Sequence, residues 1–517
     1  MGAGFGGLAT ALRLACNGVR VTVIEAMDAP GGKARQLPSA AGPVDAGPTV
    51  LTLRSEFDDL FALCGARLED HVTLIPQPIL ARHWWPDGTS LDLHTDVEAN
   101  TEAIRAWGGT RAAADFQAFH AVTAQAYAAF AGNVMLSSRP RVVPVGLTIL
   151  RNPGLWQMVA RTLARDLEAR FAEPRLRQLF GRYATYVGGV PAASPAILGV
   201  IWQAEQQGVW AVKGGMHGLA VALARIAEGA GVEFRFGQSV RRILQENGRA
   251  SGVELADGTR LMASQVVFNG DPAALNAGLL GAALRPAVAQ DATHPRSHSA
   301  HVWTFAAHAT KPTFGTDLIH HNVFFSSDPA GEYQPLQAGK LQTDPTIYIC
   351  AEDRASDDRP EGPERFEIIL NAPPVPAMGS ADSEEYETCR DLTLSQLARF
   401  GLAFDTPLTR ALLTTPRGFA RLFPGSAGSI YGLSPHGPMA SFRRPSAQTA
   451  IPGLYLAGGG AHPGAGVPMA TRSGRHAAAA IIKALALTSR STRTGMPGGM
   501  LTASATMATK PFPSSDS

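Results

Sequence analysis

Apolar residues follow two periods along this chain, and the switches between them mark out its elements. Ala11 and Leu14 follow a glycine-rich start at helical spacing, Gly18 ends that run, and Val19–Ile24 reads as a strand. Residues 51–64 carry helical spacing. Alternation then appears at 72–75 and 81–85, with Asp87-Gly88 as a hairpin turn and 90–93 as the return strand. Residues 111–171 read as helical, with Phe116, Phe119, Thr123, Tyr127 and Phe130 on one face. From Gly214 the βα rhythm returns: a helix at 219–228, strands at 232–236 and from Val240, a hairpin at Asp257-Gly258, and a closing strand at 265–268. Strands at 302–306, 322–325, 346–350 and 366–370 predict one antiparallel sheet, and 394–400 is helical. Finally, Leu454–Ala457 is a buried strand that runs through glycines into a helix starting near Met469.

This order predicts an α/β protein with interleaved domains. A Rossmann-like nucleotide-binding domain takes 1–75, 206–275 and 421–484. An inserted α+β substrate domain takes 76–205, the candidate membrane-facing piece, and 276–420, its sheet. Residues 485–517, rich in Ser, Thr, Met, Gly and Pro, read as a disordered tail.

The first motif explains the nucleotide assignment. Gly2, Gly4 and Gly7 form G-x-G-x-x-G, with Phe5 and Gly6 between them. A turn that approaches a pyrophosphate closely has no room for side chains, and the helix behind it aims N–H groups and a positive dipole end at the phosphates. Glu25, followed by Ala26, ends the next strand, where a carboxylate accepts hydrogen bonds from a ribose and repels a 2′-phosphate. Gly31-Gly32-Lys33 then marks the flavin-binding version of the motif. A Rossmann unit needs an apolar strand before its first glycine, and only Met1 stands there. The reading therefore expects a truncated first strand and a native chain with several more apolar residues.

Composition narrows the function. At 517 residues more than one domain is expected, and a formal net charge of +2 argues against a nucleic-acid binder. Cys16, Cys64, Cys350 and Cys389 show no metal or redox spacing and read as reduced thiols of a cytosolic protein. No run of 18 apolar residues occurs. From Phe116 to Arg165 there is no Asp or Glu, but there are Arg139, Arg141, Arg151, Arg161 and Arg165, a pattern that suits a helical pair of the substrate domain with a solvated arginine face or, alternatively, contact with the surface of an anionic bilayer. Tyr183, Tyr186, Trp202 and Trp210 are candidate walls of an apolar tunnel. His294, His298, His301, His308, His320 and His321 fit no ligand spacing, so no metal is expected.

Together, GAGFGGLA, the Glu25 and Gly31-Gly32-Lys33 spacing, DAGPT at 45–49 and GLYLAGGGAHPGAGVPMA at 453–470 resemble the bacterial phytoene desaturase family of carotenoid desaturases. Stretches such as ARHWWPDGTSLDL and IWQAEQQGVWAVKGGMHGLA are most similar to its 1-hydroxycarotenoid 3,4-desaturase branch. The resemblance implies FAD, held by the first glycines, Glu25 and Ala26, Gly32 and Lys33, and Gly47, Pro48 and Thr49. It also implies Val240 against the adenine, and Gly458, Gly459, Gly466, Val467, Pro468 and Met469 at the flavin. It further implies a lipophilic carotenoid substrate, a peripheral position on the cytoplasmic face of the inner photosynthetic membrane, and a C3–C4 double bond as the product. No side chain accepts a hydride from an unactivated CH2–CH2, so the cofactor carries the chemistry. No catalytic acid or base stands out; the histidines, Asp271 and Arg151 are candidate proton acceptors or hydroxyl anchors. The rival readings are phytoene desaturation, a soluble amine oxidase, a flavin-free isoprenoid carrier, and a carotenoid saturase or isomerase that uses the same FAD.

Overall fold

The computed structural model describes residues 1–313, 316–375 and 382–493. Its nucleotide-binding half is assembled from distant pieces of chain. Strand Thr22–Ile24 pairs in parallel with Glu233–Arg235, and strand Val266–Phe268 pairs in parallel with Leu454–Leu456. Residues 1 and 2 stitch these pairs together. Met1 N donates to Val267 O at 2.8 Å, Asn269 N donates to Met1 O at 2.9 Å, and Gly2 N donates to Ile24 O at 2.7 Å. The helix Phe5–Ala15 packs on the C-terminal helix Val467–Arg493, so closely that Gly474 stands where a Cβ would meet Gly6 O at 2.4 Å. Leu8, Leu12, Phe57, Phe61, Leu219 and Leu223 fill the core beneath.

The inserted half is built on one seven-stranded sheet. Its order is Leu413–Thr414, Ser299–Ala307, Glu364–Ala372, Ile347–Ala351, His321–Phe324, Ile79–Trp84, Ser90–His94. The four strands expected to form one antiparallel sheet do so, and Asn322–Phe324 in addition runs parallel to Arg82–Trp84 of the earlier segment. That junction merges residues 76–205 and 276–420 into a single sheet. Both faces are buried, and the two-residue period sorts neighbouring aromatics to opposite sides. Trp84 stacks on Phe324 at 5.5 Å on one face, and Trp85 stacks on Phe325 at 5.0 Å on the other. Phe116, Phe119, Phe171, Phe180 and Trp202 cover the second face, so Trp202 is a core residue rather than a tunnel wall.

Three further expectations need correction. The helical stretch starts earlier and is broken: Val97–Phe130, capped by Asp96 and kinked at Gly109, is followed by the separate helices Val142–Arg151, Trp156–Ala160 and Leu163–Arg170. Pro140 and Pro153, which lie on either side of Val142–Arg151, interrupt what periodicity alone runs together. The last helix continues to Arg493, because neither Gly nor Pro interrupts it before Gly495, so residues 485–493 are not tail; 494–517 lie outside the described residues. Cys16 and Cys64 are not two reduced thiols but a disulfide, since the helices that precede them end side by side with the Cα atoms 6.3 Å apart. Cys350 and Cys389 are free and buried.

Candidate active site

The residues expected to hold a dinucleotide converge from five stretches of sequence. Gly2 and Gly4 form the turn before the first helix, and Phe5, Gly6 and Gly7 its buried first turn. A Cβ on Gly6 would lie 2.3 Å from Gly458 N, so the first loop and the Gly458–Gly459 turn meet backbone to backbone. Gly31 N donates to Ala3 O at 2.9 Å, which brings Gly32 and Lys33 onto the same turn. Gly47 is equally constrained: a Cβ there would lie 2.0 Å from Lys33 O. Pro48 is half-buried, and Thr49 is buried with its hydroxyl 2.7 Å from the Tyr348 hydroxyl.

Glu25 is buried at the tip of its strand, accepting from Ala3 N at 2.6 Å and from Met27 N at 2.9 Å. A carboxylate has about four acceptor positions, so capacity for a ribose remains. Ala26 beside it is exposed. Gln238 N donates to Glu25 O at 2.9 Å, and this contact carries Val240, two residues on, to the same end of the site. Gly466 is exposed at the start of the last helix; Val467 and Pro468 are buried in its first turn and Met469 is half-buried.

The charge around this cradle tests its fit to FAD. Lys33 Nζ donates to Ile430 O at 2.5 Å and lies over the Phe423 ring. Burial lowers its pKa to about 8, with Asp271 opposing that shift and Arg296 and Arg444 adding to it. Arg444 donates to the carbonyls of Tyr431, Leu433 and Gly459, and burial lowers its pKa to about 10. Among the described residues neither cation has a carboxylate ion-pair partner. Asp271, weighed above as a proton acceptor, is instead engaged by the guanidinium of Arg296 and by Ala273 N. Enclosed positive charge beside a glycine turn and two helix N-termini is what an anionic dinucleotide requires. The residues fit FAD, which when bound supplies the hydride acceptor.

Several site residues carry no signal that the sequence reading used. Asn269 donates to Gly2 O at 3.3 Å, and its Oδ1 is buried without a partner between Gly6 and Gly458. Its place directly after a parallel strand, mirroring the first loop, was the available clue. On the other side of Asp45–Thr49 lies a buried acid cluster. Asp45 accepts from Met216 N at 2.6 Å, Glu352 accepts from Asp45 N at 2.7 Å, and Glu367 is wholly buried beside them. Burial raises Asp45 to about 6, burial and Asp45 together raise Glu352 to about 8, and Glu367 lies well above the usual carboxylate range for the same reasons.

The histidines part company. His308 is an exposed partner of Asp405, and His301 bonds Glu385. His320, His321 and Cys350 bring their ligand atoms within 4.8 Å of one another, a grouping hidden from the sequence because Cys350 faces His321 across neighbouring strands. His321 Nδ1 lies 2.7 Å from the Tyr348 hydroxyl and its Nε2 is buried without a partner. Burial holds it well below the usual histidine range, hence neutral. Arg151 lies exposed at the end of Val142–Arg151 and is no anchor in the site.

Comparison with known proteins agrees with this geometry. Residues 5–482 match the family of flavin-containing amine oxidoreductases. Over 492 residues the chain is 56% identical to a hydroxyneurosporene desaturase of Cereibacter sphaeroides, covering 95% of this chain and 98% of that one. It is 52% identical over 485 residues to a hydroxyneurosporene desaturase of Rhodobacter capsulatus, covering 93% and 97%. Among solved structures, an oxidoreductase from Methanosarcina mazei superposes with a TM-score of 0.58 at 16% identity, over 93% of this chain and 98% of that one, a likeness of fold alone. The chain belongs to the flavin-containing amine oxidoreductase family and is an FAD-dependent oxidoreductase of the carotenoid desaturase kind.

Proposed function

We propose that this enzyme removes two hydrogens from a 1-hydroxycarotenoid, placing a double bond at C3–C4 with FAD as the acceptor. The observation that carries the reading is its near full-length similarity, above 50% identity, to two hydroxyneurosporene desaturases. The pyrophosphate is assigned to Gly2–Gly7 and the ribose to Glu25. The flavin is assigned to the space between Lys33, Gly47–Thr49 and the turns at Gly458–Gly459 and Gly466–Met469. The task of the chain's own residues is positioning. They exclude water and hold the two carbons within about 3–3.5 Å of the acceptor atom.

The polyene is delivered from a membrane to which the protein binds peripherally. No helix among the described residues is long and apolar enough to cross a membrane. Leu136, Val142, Val143, Leu147, Leu150 and Trp156 are all exposed, Leu150 by 78%, within a stretch that carries arginines and no acid. Such a face suits partial burial in an anionic bilayer. Incubating the FAD-loaded enzyme with 1-hydroxyneurosporene in liposomes should lengthen the chromophore by one double bond, read from chromatographic spectra. An unchanged spectrum with a competent flavin, alongside conversion of phytoene, assigns the enzyme to the parent activity. Replacing Val143 and Leu150 together by Asp should reduce co-sedimentation with anionic liposomes about tenfold, and unchanged sedimentation would remove this face from the reading.

A further inference from the structure

A narrow recess opens beside Val50, the residue after Thr49. Leu80, Leu93, Leu179, Val209 and Val323 supply the apolar part of its wall. His83, His321 and Tyr348 bring polar groups to it, and the carboxyl among its lining residues is that of Glu205. Glu205, near the end of the helix Ile201–Gln206, meets Tyr183 and Tyr186 from the 3-10 turn Arg182–Val187. The Tyr183 hydroxyl donates to Glu205 Oε2 at 2.7 Å, and the Tyr186 side chain lies close enough to favour the ionised carboxyl. The two rings meet edge to face at 5.4 Å, and the Arg182 guanidinium rests over the Tyr186 ring at 5.6 Å. Glu205 is half-buried and Tyr186 is 36% exposed, and both line the recess. Burial raises the Glu205 pKa to about 7.

Enclosing a carboxyl is expensive, and two tyrosines use only part of its acceptor capacity. A pure hydrocarbon gives no return for that cost, whereas a polyene with one hydroxyl does. The location discriminates further. In a 1-hydroxycarotenoid the hydroxyl-bearing carbon is two bonds from C3, so whatever grips the hydroxyl must border the flavin loop. The recess meets that requirement through Val50 and through Tyr348, whose hydroxyl is bonded to Thr49.

We infer that the Tyr183–Glu205–Tyr186 cluster receives the tertiary hydroxyl of the substrate and thereby selects the end group that is desaturated. The inference rests on the 1-hydroxycarotenoid reading. Glu205 accepts the substrate O–H, and the tyrosines fix the carboxyl's orientation. A site built around a hydroxyl rejects the analogue that lacks it far more strongly than an apolar pocket discriminates by size.

The test compares two polyenes in liposomes, 1-hydroxyneurosporene and neurosporene, with FAD-loaded wild type, Glu205→Leu, Glu205→Gln and Tyr186→Phe. Flavin absorbance and Tm report folding of each variant. Wild type should prefer the hydroxylated polyene in kcat/KM by about a hundredfold or more. Glu205→Leu should narrow that preference below about tenfold, chiefly through KM on the hydroxylated substrate, while Glu205→Gln and Tyr186→Phe fall between. Affinity for the hydroxylated product, read by tryptophan-fluorescence quenching, should weaken in the same order. Equal losses on both polyenes, or no loss on either, in folded and flavin-loaded variants would make the cluster structural and overturn the inference. A wild type that desaturates neurosporene but not 1-hydroxyneurosporene would overturn the functional reading and the inference with it. One that desaturates both equally would overturn the inference alone.

Discussion

Two clusters of buried charge meet near the loop Asp45–Thr49, and they are built on opposite plans. On the glycine-cradle side, Asp271 pairs with Arg296 and acts only at longer range on Lys33 and Arg444. On the sheet side, Asp45, Glu352 and Glu367 crowd together, with Arg35 and Arg365 as the opposing charges. Burial disfavours the charged form in both, lowering the lysine and raising the acids. The resolution differs. The proposed function completes the cation side with an anion that the chain does not encode, its cofactor, whereas the acid side relieves its own repulsion by keeping protons. On that proposal one cluster is a binding site, and the other is a pH-sensitive brace that ties the first domain segment to the sheet.

Closing the cradle breaks this comparison most severely. Gly6→Val would drive side-chain carbons into Gly458 N and Asn269, with no flexible group able to give way. The variant is expected to purify colourless, with no flavin absorbance near 450 nm. A yellow Gly6→Val protein would show that the two loops do not need to meet. Next in size is Lys33→Met, which keeps the length of the side chain and removes its charge. FAD affinity is expected to fall about 10- to 100-fold in a fluorescence titration. In the wild type, affinity should decline as pH rises through about 8, because an anionic ligand favours the ammonium, and Lys33→Met should lose that dependence. An unaltered pH profile would detach Lys33 from the cofactor.

The two clusters were not equally legible in the sequence. Gly2–Gly7, Glu25 and Gly31–Lys33 lie within about thirty residues, and their chemistry depends on backbone shape, which local sequence encodes directly. The acid cluster joins Asp45 to residues more than 300 positions away, and each acid taken alone looks like an ordinary charge on a strand. The same holds for His321 and Cys350, paired across a sheet, and for Cys16 and Cys64, joined at two helix ends. Periodicity found the strands of the inserted sheet. It could not show that Ile79–Trp84 lies parallel to His321–Phe324, because register between distant segments is set by packing on both faces. Glu205 was overlooked for a related reason: beside it the eye goes to Trp202 and Trp210, the larger apolar groups, and only the turn at Arg182–Val187 reveals what the carboxyl meets.

The smallest expected effect sharpens the comparison most finely. Glu352 holds its proton to about pH 8 in the folded protein, whereas an unfolded glutamate releases it near 4.5. Between those values the folded state binds more protons than the unfolded state. Stability from this group is therefore fully present below about pH 4.5 and is lost as pH rises toward 8, at up to about 1.4 kcal/mol per pH unit. Glu352→Gln keeps an acceptor for Asp45 N and removes the titration. Its Tm should exceed that of wild type by a few degrees at pH 8, and the difference should vanish at pH 5. FAD affinity should stay within about twofold. If instead the variant loses stability equally at both pH values, Glu352 acts as the ionised partner of Arg365 at 3.4 Å, and the acid side is a salt bridge rather than a proton store. The two clusters would then share one plan, ionised charge balanced by its opposite, and the contrast between a site that waits for its anion and a brace that holds its protons would fail.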